Sequence, residues 1–295
     1  MSIKQSIKKM VFNVSSALTD TLYRRPYTDP EAKLRLRSDT ELLHLDVVIT
    51  ECCSLKCRDC SNLMQYYECP ENIASDDIIG DLKKLFECMR VRELKLLGGE
   101  PFVNQKALTE VMIYLSDTAS ESIDMINIIT NGTIIPGDEC LQAIKNNPKT
   151  MITFSNYGKL SPGQNEFAEL CSKLGIRYTF IDETYFWLDY GRVIKYDESV
   201  AFVRRQYKHC YSRKNCNTLY RGNLYACPRQ AHGIRLGLLP DVKDEYVGLH
   251  DPQYGSSDEL RRAILGLVRR NKEISACHYC LNGKYIHVPR AVQKA

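Results

Sequence analysis

The 295-residue sequence has no uninterrupted apolar stretch near the ~18 residues that a membrane-spanning helix needs, and its first segment breaks its apolar run at Asn13, Ser15 and Ser16. Neither a transmembrane segment nor a signal peptide is read from it. A strong charge excess is also lacking, with a net charge of +4. At 44% hydrophobic and 26% charged residues, disordered and collagen-like classes are excluded, and the chain can bury one large or two modest domains. There is a single Trp, no internal repeat and no low-complexity tract. Acidic residues are scarce in the last third, where Arg192 to Ala295 carries 9 against 19 basic residues, whereas Met1 to Gly191 carries 27 against 21. Such asymmetry suits an anionic small molecule as well as it suits ordinary solvated basic faces, and no nucleic-acid partner is expected.

Cysteine is what the sequence has in excess, with 13 residues. Without an export signal these thiols belong in a reducing, cytoplasmic compartment where disulfides rarely persist, so metal or redox chemistry is the leading reading.

From 44 to 181 the pattern alternates strand and helix. Strands are expected at His44 to Thr50, Glu93 to Leu97, Asp124 to Thr130, Met151 to Ser155 and Arg177 to Ile181. Helices are expected at Ser75 to Met89, Asn104 to Leu115, Asp138 to Lys145 and Pro162 to Leu174, the last closed by Gly175. This repetition predicts an α/β fold with a parallel sheet and functional groups at the carboxyl ends of its strands. Residues 183–209 break the rhythm with Tyr185, Phe186, Trp187, Tyr190 and Tyr196 and read as an aromatic connector; packing between domains is the simplest role for Trp187. A hairpin is expected over Asn217 to Ala226, turning at Arg221-Gly222-Asn223, and a helix over Ser257 to Arg270. Ile3, Ile7, Met10, Val11, Val14 and Leu18 recur at helical spacing with Lys4, Lys8 and Lys9 off that face, predicting an amphipathic N-terminal helix that packs on the protein or touches a membrane surface.

Directly after the first strand, Cys53, Cys57 and Cys60 are spaced by three and then two residues. Three soft thiolates on a four-iron cluster leave one iron open to a chelating ligand, whereas a zinc centre would need a fourth ligand such as Cys52 or Cys69. The second strand ends in Gly98-Gly99-Glu100-Pro101, where glycines admit close approach and Glu100 can accept bonds from an ammonium group. The third ends in Thr130-Asn131-Gly132 and the fourth in Ser155-Asn156.

This combination resembles the radical S-adenosylmethionine superfamily over residues 44 to about 181. The resemblance implies a partial TIM barrel of five or six parallel βα units, with a 4Fe-4S cluster on Cys53, Cys57 and Cys60 chelated by the methionine amino and carboxylate groups. Gly98, Gly99, Glu100 and Pro101 would form the methionine side of the site, and Thr130, Asn131, Ser155 and Asn156 would reach ribose and carboxylate. Reduction by an external donor such as flavodoxin or ferredoxin would yield a 5′-deoxyadenosyl radical that takes a substrate hydrogen. Two features depart from the pattern: Asp59 stands where the superfamily usually has an aromatic residue against adenine, and five strands are read where six are usual, which implies a shortened barrel or a sixth strand near Arg192 to Tyr196.

Cys210, Cys216, Cys227, Cys277 and Cys280 form a second group. It resembles the twitch domain, a shortened SPASM extension of the same superfamily, which implies an auxiliary 4Fe-4S cluster on Cys210, Cys227, Cys277 and Cys280. Cys216 is the rival of Cys210 and otherwise a candidate hydrogen donor, and a zinc ribbon is the alternative reading of the group. Cys88, Cys140 and Cys171 fall on expected helices as small buried side chains. The domain reading is an N-terminal extension 1–43, a core 44–182, a connector 183–209 and an auxiliary domain 210–295. With only 43 residues before the first strand, a peptide-leader domain is not expected. A small carbohydrate or aminocyclitol substrate, dehydrogenated or epimerised, is the leading expectation, with peptide modification and a non-catalytic iron–sulfur scaffold as alternatives.

Overall fold

Alternating apolar residues at Leu45, Val47 and Ile49, all at most 1% exposed, place the first long strand at the centre of the core. The computed structural model describes residues 36–181 and 186–294, which fall in one compact unit, Leu34–Ala295. The amphipathic helix expected near the start, and Tyr185, lie outside the described residues.

In chain order the elements are β1 (Leu36–Ser38), β2 (Glu41–Val48), α1 (Ser75–Phe86), β3 (Arg90–Leu97), α2 (Gln105–Asp117), β4 (Ile123–Thr130), α3 (Asp138–Lys145), β5 (Thr150–Phe154), α4 (Gln164–Leu174) and β6 (Arg177–Phe180). There follow β7 (Trp187–Leu188), α5 (Val200–His209), α6 (Tyr211–Asn215), β8 (Thr218–Tyr220), β9 (Asn223–Tyr225), α7 (Pro228–Arg235), β10 (Tyr246–Gly248), α8 (Ser257–Val268) and β11 (His287–Val288). The main sheet runs β10-β9-β8-β2-β3-β4-β5-β6, with β1 pairing β2. Its strands from β8 to β6 are mutually parallel. The sheet is open, with β10 at one edge and β6 at the other, as a partial barrel.

The crossover helices follow the sequence signals. α1 carries Asp76 and Asp77 in its first turn and buries Ile78, Leu82 and Leu85. α4 stops at Gly175, whose φ of 74° is the left-handed position that favours glycine. The expected hairpin forms as β8 and β9, and both turn residues, Arg221 and Gly222, have positive φ.

One expectation is corrected. No strand forms over 192–196; the sixth parallel strand is β8, which lies against β2 in the register Asp46↔Thr218 and Val47↔Leu219. It joins the opposite side of the sheet from β6, because Thr218, Leu219 and Tyr220, each at most 2% exposed, find burial beside β2. The connector carries regular structure among its described residues. It contains the helix α5, capped by Ser199, and β7, which pairs with β11.

Candidate metal centre

The loop after β2 is drawn against the end of β3 by backbone bonds, Gly99 N to Thr50 O and Glu100 N to Cys52 O, both at 2.9 Å. This contact leaves no room for side chains. A Cβ on Gly99 would lie 2.8 Å from Cys53 Cβ and closer still to Cys52 O, and one on Gly98 would lie 2.9 Å from Thr50 N. The two glycines therefore act first as packing residues that seat the cysteine loop.

Cys53, Cys57 and Cys60 come together there. Burial pushes the Cys53 thiol up to about 12 and the Cys57 thiol up to about 11, and each neighbouring thiolate would push them further. Such a set takes on negative charge only beside compensating positive charge, as iron supplies. The loop already offers donors to sulfur: Leu55 N at 3.5 Å and Asn131 Nδ2 at 3.7 Å from Cys53, and Gln293 Nε2 at 3.4 Å from Cys57.

Glu100 lies at the junction of two strand ends. It is fully buried, and its carboxylate accepts from Asn131 N at 2.7 Å, Thr130 Oγ1 at 2.8 Å and Phe102 N at 3.2 Å. Burial raises it to about 7 against the pull of those donors. Its side chain thus braces the ends of β3 and β4. Pro101 opens the short helical turn that follows. Asn131 also reaches Ser54 Oγ at 3.0 Å, while Ser155 N bonds Thr130 O at 2.8 Å and Asn156 accepts from Gln164 at 3.0 Å. The polar strand ends of the sequence reading are therefore contiguous. Asp59 is held by Arg58 at 2.8 Å, and Tyr157 is the aromatic residue in electrostatic range of all three thiols. Sequence analysis missed Tyr157; its only signal was its position after Ser155-Asn156.

Cys210, Cys227, Cys277 and Cys280 form the second neighbourhood. The Cys277 thiol is raised by burial and by Cys227, Cys210 and Cys280, and Cys227 is influenced by Cys210 and Cys280. Gln206 of α5 ties the region together, donating to Cys277 O at 2.9 Å and accepting from Gly283 N at 2.8 Å. Arg229, 5% exposed, donates to Tyr279 O at 3.1 Å and Gly191 O at 2.8 Å, and its charge reaches Cys227, Cys280 and Cys60. Cys216 lies between two neighbourhoods: its thiol bonds Asp46 beside Lys95, on the polar face of β2 and β3, and it is in electrostatic range of Cys210. Among the described residues no three His, Cys, Asp or Glu side chains close around a single metal ion.

That polar face is continuous: His44 meets Glu93 at 2.9 Å, Lys95 meets Asp46 at 3.4 Å, Asn127 donates to Glu93 at 3.0 Å, and Thr153 donates to Asn127 at 2.8 Å. Single-residue propensities did not reveal it, because it arises from parallel register.

Residues 45–146 match the 4Fe-4S single cluster domain family. The matched stretch contains the three-cysteine loop, Gly98 to Pro101, and Thr130 to Asn131. No curated protein matches the chain. Among solved structures, Streptococcus suis SuiB bound to S-adenosylmethionine is similar at 18% identity over 60% of this chain and 45% of that one, with a TM-score of 0.39. Native anSMEcpe with bound AdoMet and Cp18Cys peptide is similar at 15% identity over 74% of this chain and 79% of that one, with a TM-score of 0.47. The chain thus spans less than half the length of SuiB. Among the described residues no helix is long and apolar enough to cross a membrane.

Proposed function

We propose that this chain is a radical S-adenosylmethionine enzyme that takes hydrogen from a peptide or protein substrate. The observation that carries the first part is the seating of the start of the cysteine loop, at Cys52 and Cys53, on Gly98-Gly99, beside the joined ends of β3, β4 and β5. Cys53, Cys57 and Cys60 would hold one 4Fe-4S cluster, and Cys210, Cys227, Cys277 and Cys280 an auxiliary one. S-adenosylmethionine and the first cluster together supply radical hydrogen abstraction once an external donor such as ferredoxin or flavodoxin provides an electron. The backbone at Gly98-Gly99, the Asn131 amide and the Ser155-Asn156 turn orient the cofactor, while the Glu100 brace keeps those groups in place.

The peptide reading is supported by the edge of the sheet. β6 is exposed along its whole length, with Tyr178 37% and Phe180 38% exposed, so an extended chain can pair with it and leave side chains toward the strand ends. Trp187 packs edge-on against Tyr157, which fits a packing role for it rather than a sugar contact. Dehydrogenation and epimerisation remain the two finer outcomes, and Cys216 is our candidate for the thiol that would return a hydrogen in the second.

The test is anaerobic reconstitution followed by reduction with S-adenosylmethionine and either a peptide library or a panel of nucleotide sugars and aminocyclitols. Peptide-dependent 5′-deoxyadenosine and a mass change in a peptide are expected. Turnover of sugars alone would overturn the substrate reading, and stoichiometric zinc without iron would overturn the whole.

A further inference from the structure

After the second cysteine group the chain returns to the first. Segment 290–294 lies along the Cys53–Cys60 loop: Arg58 N donates to Val292 O and Lys294 N to Lys56 O, both at 2.7 Å, and Cys57 and Gln293 form an antiparallel bridge. Arg290 extends the attachment to Ser155 O at 3.2 Å, with its guanidinium 6.0 Å from the centre of the Tyr157 ring. Ala291 is buried, so the segment is packed as well as hydrogen-bonded.

At the centre is the Gln293 amide. Its Oε1 accepts from Lys56 N at 2.8 Å, which fixes which end of the amide is oxygen. Its Nε2 then points the other way, 2.8 Å from Ala291 O and 3.4 Å from Cys57 Sγ. Both amide protons are thereby engaged, one of them on sulfur.

We infer that segment 290–294 is a strap on the first cysteine loop and that Gln293 is a positioning residue whose N–H bond to the Cys57 sulfur raises the reduction potential of the cluster held there. The inference rests on the reading that Cys53, Cys57 and Cys60 hold a 4Fe-4S cluster. An N–H donated to a ligating thiolate withdraws charge from it and favours the reduced, more negative cluster. The auxiliary cysteines receive no bond from Gln293, so the effect belongs to one cluster.

The test is a redox titration of the reconstituted full chain followed by electron paramagnetic resonance, resolving both clusters, with Q293L, Q293E and K294R. Q293L and the near-isosteric Q293E should each lower the first cluster's midpoint and leave the auxiliary one unchanged, the Glu variant by more because it adds negative charge. K294R, which keeps the positive charge beside Gln65 O and the Tyr66 ring, should leave both unchanged. Unchanged potentials in Q293L and Q293E, or equal movement of both clusters, would overturn the inference. A wild type that takes up no iron through the loop overturns the cluster reading as well, and the iron content of the protein separates these failures. If Q293L does not fold, the Q293E titration alone decides.

Discussion

The backbone N–H of Asn131 donates to Glu100 Oε2 at 2.7 Å, joining the carboxyl end of β4 to that of β3 beneath the cysteine loop. All three donors on Glu100 come from the chain itself. Glu100→Gln keeps the shape but turns an amide N–H toward one of those donors, so we expect a loss of about 2 kcal/mol in stability. Urea unfolding of the wild type and the variant measures it, and an unchanged midpoint would remove the brace from the account.

Gly99→Ala is expected to be worse for the cluster than for the sheet. The added Cβ would lie 2.8 Å from Cys53 Cβ, forcing the loop away from β3. About 2 kcal/mol of destabilisation is expected from overpacking. Reconstituted iron should fall by about half, since only the first of two four-iron sites is disturbed.

The Cys210 and Cys216 variants should separate cleanly. Cys210→Ala is expected to lose the auxiliary cluster, about half the iron of a two-cluster chain. Cys216→Ala, whose thiol faces Asp46, should keep all of it. If the reaction is an epimerisation, Cys216→Ala should also abolish incorporation of solvent deuterium, which mass spectrometry reads directly. Iron loss in Cys216→Ala with retention in Cys210→Ala would reverse the assignment.

His232 gives the protein an acid-sensitive element. It is fully buried, its Nδ1 lies 2.8 Å from the Tyr67 hydroxyl, and its Nε2 has no partner among the described residues. Burial lowers it to about 4, against the opposing charge of Glu51. Tyr67 and Tyr220 face it directly, and the Glu51 carboxylate beyond them is paired with Arg221 and Arg235. A folded value below the unfolded 6.5 means stability present above pH 6.5 and lost as pH falls toward 4. The expected loss at pH 5 is about 2 kcal/mol. Denaturant unfolding at pH 7.5 and pH 5 should show it in the wild type and not in His232→Gln.

Much of this was legible before any coordinates. The apolar runs of β2 to β5, the first-turn acids of α1, Gly175 after α4 and the Arg221-Gly222 turn each depend on neighbours within a few residues, which is why the α/β order and helix ends could be read. The spacing of Cys53, Cys57 and Cys60 is likewise local, and with Gly98 to Pro101 it marked the site.

What local sequence could not carry was decided by long-range pairing. The parallel register of β8 on β2 brings Thr218 opposite Asp46 from 172 positions away and sets the Cys216 thiol against Asp46. The Glu100 side chain accepts from Thr130, Asn131 and Phe102 because its strand end is buried against theirs. Gln293, unremarkable by composition, gained its role only because segment 290–294 folds back onto a loop more than two hundred residues earlier. Spacing along the chain names the thiols and glycines of the site; the sheet, by closing contacts between distant segments, determines which groups face them.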